Sequence, residues 1–359
     1  MVNLDNLDDF FGISKDKINQ AKNKQVNKNR KSLKEPNKQG ITNIRIATRK
    51  SRLALWQAHF IGDLIQHYDS SINIIYVPLS TKGDEVLDKY LSEIGGKDLF
   101  VKTLEEALLE DRADIAVHSL KDVGSRLDDD FYLAMFSDRE DPRDALLSKK
   151  YDKIKDLSRQ SVIGTGSPRR VAQLRAMGFK YTKLLRGNIA TRINKLQVSL
   201  SKSQNNINYD AIIIAYAALL RLNLKSLADD VFSIEDMLPA PGQGVMAVEC
   251  LARRADLRNF LADLDNKKVR CEVTAERYIT ASLDGDCHSP IGMYAQLIDN
   301  KGDFSMNIKA MIASPKTGEM IKYDRTFAYD HKEEDNHLEL DKIVDSLVKR
   351  GARKLLQDQ

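Results

Sequence analysis

Cysteine and tryptophan are scarce: three of the former and one of the latter in 359 residues. Cys250, Cys271 and Cys287 are an odd number without a C-x-x-C pair, which disfavours a disulfide framework and a structural zinc site and fits a reducing compartment. No run of about 18 uncharged apolar residues exists to span a membrane. The G-x-x-x-x-G-K-[ST] phosphate loop is missing, and no short internal period suggests a solenoid. An excess of one charge is missing too, since 56 Lys and Arg face 52 Asp and Glu, a net charge of +4. A field that weak argues against nucleic acid as a partner and makes any anion site a local matter.

What is present is enough for several cores: 42% of the chain is hydrophobic, and its length predicts two or three domains. Residues 1–40, rich in Lys, Asn and Asp, lack the apolar stretch of a secretory signal and are expected to form a disordered extension. Two readings of it stay open. It is a leader to a plastid-like organelle, or a solvated tail on a cytoplasmic protein.

From Ile44 the chain alternates short β-branched runs with helical ones. Ile44–Ala47 and Ile72–Leu79 read as strands around a helix capped by Ser51 and carrying Leu53, Trp56, Phe60 and Leu64. A helix over Leu99–Glu110, capped by Asp98, precedes a strand at Asp114–Val117. The charged stretch Asp141–Asp144 reads as a crossover, after which the grammar restarts. Strands are expected at Ser161–Thr165, Thr182–Leu185 and Ala211–Ala215, and helices from the Ser167-Pro168 cap and over Asn188–Gln197. Pro239–Gly244 is strong punctuation, and the strand Val245–Cys250 after it is expected to return to the first lobe and form a two-stranded hinge. The fold class is therefore α/β, with two doubly wound lobes of parallel strands and a small C-terminal α+β domain. The boundaries are 41–138 with 243–262, then 139–242, then 267–359, the last including a helix with Ala275, Tyr278 and Ile279 and a final helix from Leu338.

Ligands of open α/β sheets bind beyond the carboxyl ends of strands, where helix N-termini also point. Four such ends carry basic or hydroxyl groups: Thr48–Ser51, His118–Asp122, Gly164–Arg170 and Arg186–Asn188. The Gly-Thr-Gly-Ser turn suits a carboxylate or phosphate, and several arginines imply a ligand with several acids. Arg169 and Arg170 read alternatively as charges on a helix surface. Asp122, an acid among bases, is placed to stabilise positive charge. Cys250 and Cys271 read as packing residues, whereas Cys287, in a Gly/Asp/Pro loop, is a plausible nucleophile or attachment point. His118 reads as a hydrogen-bonded structural residue, and no metal site is expected.

Seven ordered segments resemble the porphobilinogen deaminase (hydroxymethylbilane synthase) family over about Ile44–Ala295. They are Ile46–Ser51, Gly95–Lys102, Ala113–Val123, Gly164–Arg170, Leu185–Arg192, Pro239–Gly244 and the loop around Cys287. The resemblance implies two lobes like those of periplasmic binding proteins plus a third domain bearing the cysteine. It implies an enzyme that builds a dipyrromethane cofactor on Cys287 by a thioether and joins four porphobilinogen units. By position, Asp122 matches the catalytic carboxylate. Arg49, Ser51, Arg186 and Arg192 match ligands of substrate and chain carboxylates, with Gln57, Lys97 and Phe100 as further substrate contacts. Lys121, Asp122, Thr165, Ser167, Arg169, Arg170, Arg192 and Asp88 match cofactor ligands. A monomer acting on a small molecule is implied. Gly124 stands where the family usually has proline, and Asp286 where it usually has glycine, so the loop after Asp122 is expected to be more mobile and the loop around Cys287 differently shaped. Two rivals fit parts of the chain. A solute-binding protein would want an export signal and no Cys287, and a nucleic-acid binder would use the basic tail.

Overall fold

The computed structural model describes residues 40–80, 101–198, 208–286, 288–330 and 333–357. The expected sites Asp88, Lys97, Phe100 and Cys287 lie outside them, as does Asp98, the expected cap.

The first lobe is built on β1 (Asn43–Arg49), β2 (Asn73–Leu79), β3 (Ile115–Ser119), β4 (Phe131–Phe136) and β10 (Met246–Leu251), in the order β2-β1-β3-β10-β4. Ser51 caps α1 (Arg52–Tyr68) by accepting from the Ala54 amide at 3.3 Å, and Ala58, Ile61, Leu64 and Ile65, spaced at one helical face, are buried against the sheet. Helix α2 (Lys102–Leu109), shorter than expected, packs Leu104 and Leu108 beneath β1 and β3, and α6 (Ala255–Ala262) adds Leu257 and Leu261 to the core.

The second lobe repeats the plan with β5 (Asp144–Ser148), β6 (Ile163–Gly164), β7 (Thr182–Lys183), β8 (Ala211–Ala215) and β9 (Asp230–Val231), ordered β7-β6-β8-β5-β9. Pro168 opens α3 (Pro168–Ala176), while α4 (Ile189–Val198) and α5 (Tyr216–Arg221) cover the sheet. Neither sheet is wholly parallel, contrary to the reading of a parallel sheet. In each, three strands run parallel, and then β10 in the first lobe and β5 in the second run antiparallel to both neighbours. The reason is the path of the chain. β4 leads out of the first lobe into β5, and β10 comes back from the second, so each inserted strand enters from the hinge side.

The two crossings lie side by side as expected: the Ser137 amide donates to Met246 O and the Glu140 amide to Gly244 O, both at 3.0 Å. Arg221, buried at the end of α5, also donates to Gly244 O at 2.6 Å. Gly244 holds φ +91°, and a Cβ there would run into the Glu140 carbonyl oxygen. Gly244→Ala is therefore expected to cost about 1–3 kcal/mol of stability, read as a lower urea midpoint at unchanged slope.

The third domain consists of α7 (Lys267–Ser282), an antiparallel meander β11 (Ile291–Asn300), β12 (Asp303–Ala313) and β13 (Met320–Ala328), and α8 (Glu333–Lys349) with α9 (Ala352–Gln357). It rests on both lobes. Val269 and Val273 join Leu120, Val123 and Leu133 of the first, and Met311 and Ala313 join Ala172 and Leu238 of the second. Between these contacts Glu276, fully buried on α7, accepts from the Gly242 amide at 2.6 Å, the Ala295 amide at 2.8 Å and Arg139 Nη1 at 2.9 Å. One carboxylate thus joins hinge, helix and meander.

Candidate functional site

The strand ends converge where the lobes face each other. After β3 the chain makes a 3-10 turn, Leu120–Asp122, pinned by buried Leu120, whose amide donates to Val245 O at 2.9 Å. That anchor holds Lys121 and Asp122 half-buried beside the hinge. Gln57, almost fully buried on α1, donates to Ser119 Oγ at 2.9 Å, so it braces this turn from behind. Ser51 is committed to capping α1, and Arg49 stands half-buried at the end of β1. His118 is paired with Glu249 inside the sheet, Nε2 to Oε2 at 2.9 Å. Among the described residues no group of three or more His, Cys, Asp or Glu could hold a metal.

After β6, Thr165 is buried and its hydroxyl accepts from the Ser167 amide at 3.2 Å. Ser167 occupies the cap position of α3 without a side-chain cap bond. Arg169 and Arg170 are not helix-surface charges, because only 3% and 4% of each is exposed. Both lie on Asp144 (Arg169 Nη2 to Oδ2 at 2.8 Å, Arg170 Nη2 to Oδ1 at 2.7 Å), and the Nη1 atoms donate to Leu238 O and Ile213 O. Asp144 closes the crossover expected over Asp141–Asp144. It is the fully buried first residue of β5. Gln243 joins the parts, since its Nε2 donates to Asp144 Oδ1 at 2.9 Å and its Oε1 accepts from Lys121 Nζ at 3.3 Å. Past β7, Arg186 is buried, and Arg192 on α4 donates from Nε to Gly187 O at 2.7 Å.

The resulting field is mainly positive, with Asp122 and Asp144 as its acids. Burial pushes Arg192 down to about 10, the neighbouring charges of Arg170, Arg186 and Arg49 push the same way, and Asp122 opposes them. Burial likewise lowers Lys121 to about 8, against the pull of Asp122. Burial would raise Asp144, but Arg169 and Arg170 outweigh it and hold the carboxyl well below its ordinary value. Such crowding of cations is costly unless an anion shares the space.

Beside Asp122 opens a cleft where all three domains meet. It is lined by Lys121, Val123 and Ser125 of the first lobe, Ser167 and Arg169 of the second, Pro241 of the hinge, and Arg277, Thr280, Asp286 and Ser289 of the third domain. The loop after Asp122 is tied to the third domain, Ser125 Oγ donating to Gly285 O at 2.7 Å and Arg126 Nη2 to Ala281 O at 2.9 Å. Both ties hold that loop against the third domain. The Asp286 carboxylate accepts from the His288 amide and Ser289 Oγ, both at 2.9 Å, closing a turn that a glycine could not close with a side chain. Arg169 Nε and Arg170 Nε are buried without a partner, which leaves donors that carboxylates of a bound acidic group would satisfy.

Residues that sequence reasoning passed over include Asp144, Gln243, Glu276 and Arg277. All four sat in segments already singled out, Asp144 in the crossover, Gln243 in the Pro239–Gly244 punctuation and the other two in the helix around Ala275, but none was given a role.

Two hinged α/β lobes, a third domain across the hinge, and basic side chains gathered at the strand ends beside a three-domain cleft make a site suited in charge to an anion. Two family models match the chain: "Porphobilinogen deaminase, dipyromethane cofactor binding domain" over residues 44–259 and "Porphobilinogen deaminase, C-terminal domain" over 270–339. The chain belongs to the porphobilinogen deaminase family, a family of transferases. Similar solved structures include the methionine-binding protein MetQ (13% identity, 67% of this chain and 94% of that one, TM-score 0.38). Others are a methionine-bound nutrient-binding protein from Burkholderia cenocepacia (13%, 67% and 97%, 0.37) and the Bordetella pertussis BvgS VFT2 domain (11%, 66% and 92%, 0.38). No helix among the described residues is long and apolar enough to cross a membrane.

Proposed function

We propose that this protein condenses four porphobilinogen molecules head to tail, releasing one ammonia each time, and, when water cleaves the chain from its primer, yields the linear tetrapyrrole hydroxymethylbilane for porphyrin and haem biosynthesis. Family membership supports the reaction class. The residue roles are supported by one observation above all: Arg192 feels Arg170, Arg186 and Arg49 as like charges and half-buried Asp122 as the opposing one, next to a cleft walled by the third domain.

Each pyrrole carries an acetate and a propionate, so every added ring brings two carboxylates into this field. Arg49, Ser51, Arg186 and Arg192, with Gln57, Lys97 and Phe100, are proposed to take the incoming substrate. Lys121, Thr165, Ser167, Arg169, Arg170, Arg192 and Asp88 are proposed to hold a dipyrromethane primer joined by a thioether to Cys287. When bound, the primer would supply the unsubstituted α-carbon that accepts the first ring, each later ring joining the one before it. Loss of ammonia from the aminomethyl arm leaves a cation conjugated with the pyrrole. The Asp122 carboxylate hydrogen-bonds the pyrrole N–H and offsets that charge, in a site where fixed groups need no reorganisation. A monomer acting on this small molecule suffices.

Intact mass tests the reading. Protein purified from cells with a working haem pathway is expected to carry an added mass of two pyrrole rings, and peptide mapping is expected to find it on the peptide containing Cys287. An unmodified chain, or an adduct on Cys250 or Cys271, overturns it.

A further inference from the structure

The end of α7 is finished by groups from another domain. A helix leaves its last carbonyls without intrahelical partners, and a cation near them is favourable. The Ile279, Thr280 and Ala281 carbonyls accept from the Leu283, Gly285 and Asp284 amides, but the last turn of α7 carries no basic residue. Arg126, on the first-lobe segment that follows Asp122, supplies the cation: its Nη2 donates to Ala281 O at 2.9 Å and to Asp284 Oδ1 at 3.1 Å. Beside it Ser125 Oγ donates to Gly285 O at 2.7 Å, and Val123 O accepts from Arg277 Nη1 at 3.4 Å. The segment after Asp122 is thereby tied to the loop Asp284–Asp286, which runs directly into Cys287. These ties differ in kind from the contact further up the helix. There Val269 and Val273 are buried with Leu120 and Val123 in one apolar cluster, which can part only by exposing that surface to water. Arg126 and Asp284 keep 71% and 68% of their side chains exposed, so their pairing is weak and water can replace it.

We propose that Ser125 and Arg126 are positioning residues: they hold the loop leading to the attachment cysteine beside Asp122 for the first additions and release it as the pyrrole chain lengthens. This rests on the function proposed above and deepens it. Every ring is joined at Asp122, while the growing chain stays attached at Cys287. The number of rings between the two points rises with each addition, so the loop position that suits the first differs from the one that suits the last. A buried apolar contact at the loop would favour one chain length. Solvent-exposed polar ties hold the short separation early and cost little to open later, while the valine cluster keeps α7 against the turn of Asp122.

The test uses full-length protein carrying its primer, mixed with porphobilinogen and quenched at intervals, the rings added being counted by intact mass. In Ser125→Ala/Arg126→Ala the first addition is expected to be roughly tenfold slower than in the parent and the last unchanged, the effect of losing two hydrogen-bonded ties. Ser125→Ala/Arg126→Lys, which keeps a cation at the end of α7, is expected to recover part of the rate. Amide exchange reads the tie without turnover: residues 281–286 of the double alanine variant are expected to exchange roughly tenfold faster than the parent's, and those of β11 at the parent's rate. Unchanged exchange over 281–286 overturns the inference. So does slowing of no addition, or of all additions equally with a drop in thermal midpoint, which marks a structural role. A variant that takes up no primer overturns it as well, because Ser125 then acts on the primer directly. A parent that adds no ring although exchange responds refutes the proposed function, and the positioning role falls with it.

Discussion

Replacing Asp122 by Asn is expected to lower kcat by roughly 10²–10³ while the protein stays folded. The substitution keeps size and hydrogen-bonding groups and removes only the charge. Arg192, for which Asp122 is the opposing charge, also feels Arg49, Arg170 and Arg186, all of the sign that repels a pyrrole cation. Without Asp122 the field that holds the carboxylate arms opposes the charge that ammonia loss creates. The binding side should change less, because the arginines that take those arms remain, so the loss is expected in kcat more than in KM. A second consequence follows from the same neighbours. Asp122 raises Lys121 and Arg192 against their burial, so its removal lets that amine and that guanidinium fall further. For Lys121, which starts from about 8, carboxylate binding should weaken at lower pH than in the parent. Activity of Asp122→Asn within about threefold of the parent would refute the role; so would an alkaline limb at the parent's position.

What could be read from the chain was whatever local chemistry announces. Ser51 capping α1, Pro168 opening α3, the apolar run of β8 and the Pro239–Gly244 return were legible because caps, proline and β-branched runs act over a few residues. The strand ends bearing Arg49, Asp122, Arg169 and Arg186 were legible for the same reason. The orientation of β5 and β10 was not, since it is decided by which lobe each strand enters from, a property of the whole path. Strand β4, an edge strand that keeps all but Tyr132 buried, offered no alternation to separate it from a loop. Charged residues misled most. Asp144 was read only as the end of a charged crossover, and Arg169 and Arg170 could pass for a helix surface, because burial of each depends on partners some 25 residues away. Glu276 and Arg277 sit side by side in a charged helix, yet one is buried under the hinge and the other faces the cleft. Helical periodicity cannot tell which face meets another domain.

Asp144 carries the other large effect. Asp144→Asn should leave Arg169 and Arg170 buried without a counter-charge and cost about 3–5 kcal/mol at neutral pH, measured by urea unfolding. The amide could still accept from one of them, but it cannot repay two guanidinia taken out of water. The dependence on pH fixes the sign. Burial raises Asp144, the two arginines overcome it, and the folded carboxyl titrates well below the unfolded one. A carboxyl depressed in this way contributes its full stability above the unfolded value of about 4 and loses it as pH falls toward the folded value. The parent should therefore lose stability from about pH 4 downward more steeply than Asp144→Asn, which has no proton to take up there. Parallel curves, or a neutral-pH loss under about 1 kcal/mol, would refute the assignment. The same substitution should also weaken primer loading, since Gln243 links Asp144 to Lys121 across the hinge. Arg170→Met in the Asp144→Asn background gives the decisive comparison. Removing a cation that has lost its partner should recover part of the stability, whereas it should not recover loading if Arg170 also grips the primer.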